Sequence, residues 1–235
     1  MDQIDATKLR RVALLGAAAG YVYASVTPQQ LTTLEPFLTA RAEARLAQAF
    51  EKAQWLAENS ELEAGAAWYE SRNLMDQTLR REIAMLHSLV EFTAAPADAD
   101  AQGAKALADE AASFQNLLDA NAKLRGAKGS APAAPWSGEA DAKAIPERVS
   151  PGTEFGPLTY QNDDVLLARL GKERYGKIKL HNELYAYEIV NFVNGKRSFG
   201  EIRDAVSAEY GPLPLNLVAD YLEACAEAGV IRIKR

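Results

Sequence analysis

Asn194-Gly-Lys-Arg-Ser-Phe-Gly-Glu-Ile-Arg203 decides how the last third of the chain folds. Ser198, followed three residues later by Glu201, has the spacing of a capping box, in which side chains and backbone at a helix start satisfy one another. A helix is therefore expected from this point through Ile202, Val206 and Tyr210. The Asn194-Gly195 pair just ahead tolerates left-handed backbone and stops a preceding helix over Asn182–Val193. Further on, Gly211-Pro212 ends the helix that Ser198 starts. Pro214 then opens another through Leu217, Val218, Tyr221, Leu222 and Cys225. Gly229 caps that helix, and Val230-Ile-Arg-Ile-Lys234 alternates like a closing strand.

Upstream, Asp163–Leu170 reads as a short helix, and Tyr175-Gly-Lys-Ile-Lys-Leu180 as a strand or an extended lead-in. Three helices and a terminal strand outline a winged-helix-like α+β domain over residues 151–235. Residues 125–150 have a different character. Arg125-Gly-Ala-Lys-Gly-Ser-Ala-Pro-Ala-Ala-Pro-Trp-Ser-Gly138 is a Pro/Ala/Gly linker, with Trp136 placed to anchor it on a neighbouring surface.

Residues 1–124 form a helical region. Leu38, Ala42, Leu46, Ala49, Phe50, Ala53 and Leu56 recur at three- and four-residue steps, an amphipathic stripe. Thr32 or Thr33 is expected to cap that helix, with Pro36 in its first turn, where a missing N–H costs nothing. A second helix runs from about Leu62 to Phe92, through Trp68, Met75, Leu79, Ile83 and Leu86. Its opposite face carries Glu70, Arg72, Arg80, Arg81 and Glu82. Pro96 breaks it, and a third helix follows from about Ala101 to Leu124. Helices of this length are expected to form a hairpin or small bundle. The expected fold class is thus mainly α.

The N-terminus imitates a targeting signal. Lys8, Arg10 and Arg11 precede an uncharged run from Val12 to Ala24 that ends in small residues. Asp2 and Asp5 dilute its basic part, and Gly and Tyr interrupt its apolar part. A packed helix capped by Asp5 is the preferred reading, and a cleaved signal over residues 1–24 the alternative. The run is too short to span a bilayer.

The 235 residues carry a net charge of −6, one cysteine and two histidines. Residues 1–150 hold 15 Lys/Arg and 20 Asp/Glu, and residues 151–235 hold 11 and 12. Neither part has the basic surplus that phosphate neutralisation needs, and the Pro214–Gly229 helix presents Asn216, Asp220, Glu223 and Glu227, which repel a nucleic-acid backbone. One cysteine excludes an intrachain disulfide and any multi-cysteine zinc site. Cys225 falls on an apolar helix face and reads as a small core hydrophobe. His87 and His181 read as satisfied structural histidines. No phosphate-binding glycine loop is present. The pairs Glu61/Glu63, Asp98/Asp100 and Asp163/Asp164 sit where solvated charge is ordinary. No catalytic or metal-binding set emerges, and no cofactor is expected in this chain.

Two stretches resemble known families. Tyr187-Glu-Ile-Val-Asn-Phe-Val-Asn-Gly-Lys-Arg-Ser-Phe-Gly-Glu-Ile-Arg-Asp-Ala-Val-Ser-Ala-Glu-Tyr-Gly-Pro-Leu-Pro-Leu215, continuing to Tyr221-Leu222 and Ala228-Gly-Val230, resembles the C-terminal winged-helix module of some bacterial M28-type zinc aminopeptidases. The same outline resembles the PqqD-like domains that bind precursor peptides. Asp2-Gln-Ile-Asp-Ala-Thr-Lys-Leu-Arg-Arg-Val-Ala-Leu-Leu-Gly-Ala-Ala-Ala-Gly-Tyr21 resembles the last helix of an M28 catalytic domain, which follows shortly after that family's final metal-binding histidine. The family's zinc ligands and catalytic carboxylate have no counterpart in this sequence, so none of its functional residues carries over.

The resemblance implies a non-catalytic accessory region of an M28-like aminopeptidase, with a structural, substrate-gating or self-association role. Leu9, Leu14 and Tyr21 would then pack towards a peptidase catalytic domain. The alternative is a stand-alone PqqD-like module whose sheet is extended by a peptide strand, with Lys177, Lys179, Leu180, Leu215, Val218 and Tyr221 forming the groove. A third reading makes the chain a subunit that completes a peptidase active site with another polypeptide. The expected partners are therefore a catalytic domain, a peptide or a second copy, with no nucleic acid and no membrane span. The location would be cytoplasmic if Met1 opens the native chain, and extracytoplasmic if the chain is part of a secreted peptidase.

Overall fold

Thr27-Pro-Gln-Gln30 opens the longest described helix of the computed structural model, α2 (Pro28–Asn59). Thr27 Oγ1 accepts from the Gln30 N–H at 3.3 Å, and Gln30 Oε1 accepts from the Thr27 N–H at 2.8 Å. Together they make a capping box with proline at the first helical position. The expected start near Thr32 or Thr33 is thereby corrected: Pro36 stands inside the helix, where it withholds one backbone hydrogen bond. The structure describes residues 6–89, 98–127, 134, 136–149, 162–180 and 183–235.

Among these residues the chain is mainly helical, with one small two-stranded sheet. Before α2 lies α1 (Ala6–Ser25); after it come α3 (Ala64–His87) and α4 (Asp98–Leu124). The expected end of α3 near Phe92 and the break at Pro96 lie outside the described residues. Strand β1 (Ile145–Arg148) follows a short 3-10 turn (Ala140–Lys143), and both fall in the stretch read as linker. Then come α5 (Asn162–Tyr175), α6 (Glu183–Phe192), α7 (Phe199–Tyr210), α8 (Leu215–Glu227) and β2 (Ile231–Lys234). No described helix is long and apolar enough to cross a membrane.

Contacts divide the chain into two compact units whose boundaries fall inside α2, α3 and α4. The first comprises Met1–Gln48 and Leu79–Ser113. Its core is built from Ala42 and Leu46 of α2, Leu86 of α3, and Leu107 and Ala111 of α4, all buried. Gly103 permits a close approach, since a β-carbon there would meet Thr39 Oγ1 at 3.0 Å and Leu86 Cδ1 at 3.4 Å. Glu82 is also buried in this unit. The Arg45 guanidinium grips it in fork fashion, Nε to Oε1 at 2.9 Å and Nη2 to Oε2 at 2.6 Å. The sequence pattern had placed Glu82 on a solvent face; the two arginines that reach it, Arg45 and Arg81, are what allow it inside.

The second unit comprises Ala49–Thr78 and Phe114–Arg235. Its helical part is fastened by a stacked Phe50–Phe114 pair with centroids 4.5 Å apart, and by Asp119, which accepts from Trp68 Nε1 at 2.8 Å and from Arg72. The larger apolar core gathers Leu166, Ile178, Leu180, Ile189, Phe199, Ile202, Val206, Val218, Tyr221, Leu222, Cys225 and Ile231. Ser198 and Glu201 form the expected capping box at the start of α7, and Gly195 takes the expected left-handed turn at φ 75°. Helix α5 is longer than expected, running to Tyr175 with non-helical backbone at Gly171, and residues 176–180 contain no strand. The closing strand exists, and its partner is β1: they pair antiparallel, with Glu147 opposite Arg232 and Pro146 opposite Ile233. Pro146 is tolerated because its carbonyl faces away from β2, accepting from the Gly195 N–H at 3.2 Å.

Candidate functional site

Helix α1 has no acidic residue in its first turn and runs as ATKLRRVALLGAAAGYVYAS. After Lys8, Arg10 and Arg11 its run from Val12 to Ala24 carries no charge, and a helix segment apolar all round is normally buried. Here Val12, Leu14, Leu15 and Tyr21 are 67%, 70%, 69% and 72% exposed. Leu14 and Tyr21 lie two helical turns apart on one face; the side chain of Leu9 is outside the described residues. Where α1 turns into α2, an apolar groove of about 370 Å³ is lined by Tyr21, Val22, Ser25, Val26, Gln30, Thr33 and Leu34. Its polar groups are engaged locally: Ser25 Oγ donates to the Tyr21 carbonyl at 2.6 Å, and Gln30 closes the capping box. The groove therefore offers shape and apolar surface, not chemistry.

The groove read from residues 177–221 takes a different form. Leu180, Leu215, Val218 and Tyr221 are gathered, but as members of one buried core, so their side chains hold the fold together and line no open surface. Lys177 and Lys179 are exposed. Lys177, in the turn after α5, pairs with Glu173 at 2.8 Å, and the Lys179 backbone N–H donates to Asp220 Oδ2 at 3.2 Å.

Cys225 is buried, as its apolar neighbours suggested. His87, expected to be partly buried, is exposed in the last turn of α3, and His181 lies outside the described residues. Among the described residues no group of three or more histidine, cysteine or carboxylate side chains is placed to hold a metal ion.

One polar cluster was not legible in the sequence. Glu70, Asn73, Arg203, Asp204 and Ser207 are all buried in the second unit. Arg203 donates to the Glu70 carboxylate, to Asp204 Oδ1 at 3.0 Å and to the Leu213 carbonyl. Asp204 Oδ2 accepts from the Tyr69 hydroxyl at 2.7 Å, and Asp204 Oδ1 from Trp136 Nε1 at 3.1 Å. Asn73 Nδ2 donates to the Asp204 carbonyl at 2.9 Å. Trp136 is the anchor its position suggested, its ring lying directly over Gly200. Burial works against the Arg203 charge, but Glu70 and Asp204 outweigh it and hold the guanidinium above its usual range. Burial likewise pushes the Tyr69 hydroxyl up, and its bond to Asp204 adds to the effect. Glu70 had been placed on the solvent face of α3; the charged and amide partners from α3 and α7 are the reason it is inside.

No family model matches the chain, and no curated protein and no solved structure matches it either.

Proposed function

We propose that this chain is a non-catalytic accessory region of an M28-like zinc aminopeptidase, made of an N-terminal docking helix, a helical hairpin and a C-terminal winged-helix-like module. The observation that carries the reading is α1: a helix with large apolar side chains exposed on more than one side. Each such side chain left in water forgoes roughly 1.5–3 kcal/mol of burial, so a helix of this kind is expected to be covered in the working assembly. The resemblance of residues 2–21 to the last helix of an M28 catalytic domain names the cover. In this reading Leu14 and Tyr21 pack on that domain, and the remainder of the chain acts structurally, by gating substrate entry or by self-association.

The test is to mix the chain with an M28-type catalytic domain truncated before its last helix and follow the mixture by sedimentation velocity. A complex is expected, with zinc in the catalytic partner and none in this chain, and the double variant L14D/Y21D should not form it. Two species sedimenting independently at micromolar concentrations would overturn the reading. An active site that forms only in the complex would favour the reading in which this chain completes a peptidase site.

A second reading, peptide capture by a PqqD-like module, is favoured by the sheet. The outer side of β1 is covered by the turn after α6, through Gly195 and the Arg148 side chain on the Val190 and Val193 carbonyls. No described strand lies on the outer side of β2. A leader-type peptide added as a strand would shift the amides of Ile231–Lys234 in an NMR titration; unchanged amides there would remove this reading.

A further inference from the structure

Glu70 and Asp204 are two buried carboxylates that share one buried guanidinium, that of Arg203. The other groups around them are neutral at ordinary pH: Tyr69 and Asn73 from α3, the Trp136 indole, and the Leu213 carbonyl that Arg203 also engages. The titratable groups that act on Glu70 are Arg203 and Asp204 from α7, and Tyr69 beside it on its own helix feels the same charges. Counting charges leaves one uncompensated negative charge among these buried side chains. Buried charges of like sign that share one counter-ion are relieved by binding a proton.

Which carboxylate takes the proton follows from the hydrogen bonds. The Asp204 carboxylate accepts from three side chains, Arg203, Tyr69 and Trp136. Glu70 has Arg203 on Oε1, with Asn73 as the further stabilising neighbour. Fewer donors stand on the glutamate, so less offsets the cost of burying its charge. We propose that the Glu70–Arg203–Asp204 cluster is a proton-binding site that takes up one solvent proton at Glu70 as pH falls, leaving a neutral Arg203–Asp204 pair and favouring the folded state. Burial pushes the Glu70 carboxyl above its ordinary range, with Asp204 adding to the push, against the pull of Arg203.

The direction of the coupling follows. Because the folded form holds this proton to a higher pH than the unfolded chain does, the cluster favours folding most in acid. That contribution falls as pH rises through the folded-state midpoint. The cluster thus stabilises the fold more as pH falls, opposite in sign to ordinary acid denaturation.

The experiment is a side-chain carboxyl NMR titration of the full chain between pH 4 and 8, read together with the Trp136 indole N–H resonance, which sits on Asp204. A Glu70 midpoint above that of an unperturbed glutamate, with the indole moving at the same midpoint, is expected. In E70Q the indole transition should disappear, and the melting temperature of E70Q relative to wild type should rise with pH. A Glu70 midpoint at or below the ordinary value, or an indole transition that survives E70Q, would overturn the proposal. The wild-type titration decides the matter by itself if E70Q does not fold.

Discussion

The Trp136 ring lies so close to Gly200 that a β-carbon added there would come within 2.5 Å of Cζ3. Gly200 is the second residue of α7, where alanine would ordinarily be the better helix former. Contact with the indole reverses that preference. G200A is expected to destabilise the protein by about 1–3 kcal/mol through overpacking. Urea unfolding of G200A, W136A and the double variant checks it: the G200A cost should largely vanish once the indole is gone.

Glu82 supplies the second prediction. Burial alone would raise its carboxyl, but the hydrogen bonds and charges of Arg45 and Arg81 outweigh that and hold it below the ordinary carboxylate range. E82Q should cost about 1–2 kcal/mol at neutral pH, a moderate figure because Arg45 is one-third exposed. The sign with pH is fixed by linkage. A group whose folded-state value is depressed contributes stability above its unfolded-state value, and that contribution is lost as pH falls through the folded-state value. The stability difference between wild type and E82Q, measured by denaturant titration from pH 7 downward, should therefore close in acid. Glu70 behaves in the opposite sense, so the two glutamates separate in one pH series.

Pro36 inside α2 gives the third. A proline in a helix interior removes one hydrogen bond and crowds the carbonyl four residues earlier. P36A is expected to raise stability by about 1–3 kcal/mol, read as an increased urea midpoint at unchanged slope.

The capping box of α7 gives the fourth. Ser198 accepts from the Glu201 N–H at 3.3 Å, and the Glu201 carboxylate accepts from the Ser198 N–H at 2.8 Å. S198A should cost about 1 kcal/mol, whereas S198D, which keeps an acceptor, should cost only a fraction of that. Thermal unfolding followed by circular dichroism separates them.

What the sequence revealed was local. The Ser198 box, the Gly195 turn and the alternation of residues 230–234 each depend on residues a few positions apart, and each stands in the structure. The Thr27–Gln30 box was equally local, but the proline at 36 drew the helix start to the wrong threonine. Strand β1 was hidden because Ile145-Pro-Glu-Arg148 has a proline in it and pairs with the far end of the chain. Glu70 and Glu82 differ from the pattern for a related reason: helical periodicity marks charge as outward, while Arg203 and Arg45, which draw these two inward, are remote in sequence. Leu180, Leu215, Val218 and Tyr221, expected to line a groove, are members of the buried core, where their apolar character puts them.

Helix α1 is where the account is most exposed to test, and amide hydrogen exchange over residues 12–22 is the most direct measurement. In the chain alone at low concentration these amides should exchange quickly, because Val12, Leu14, Leu15 and Tyr21 are exposed and a helix without a packed face frays readily. Adding an M28-type catalytic domain truncated before its last helix should slow them at least tenfold and leave residues 198–227 unchanged. Slow exchange of residues 12–22 in a monomer, with no further change on adding that domain, would contradict the account.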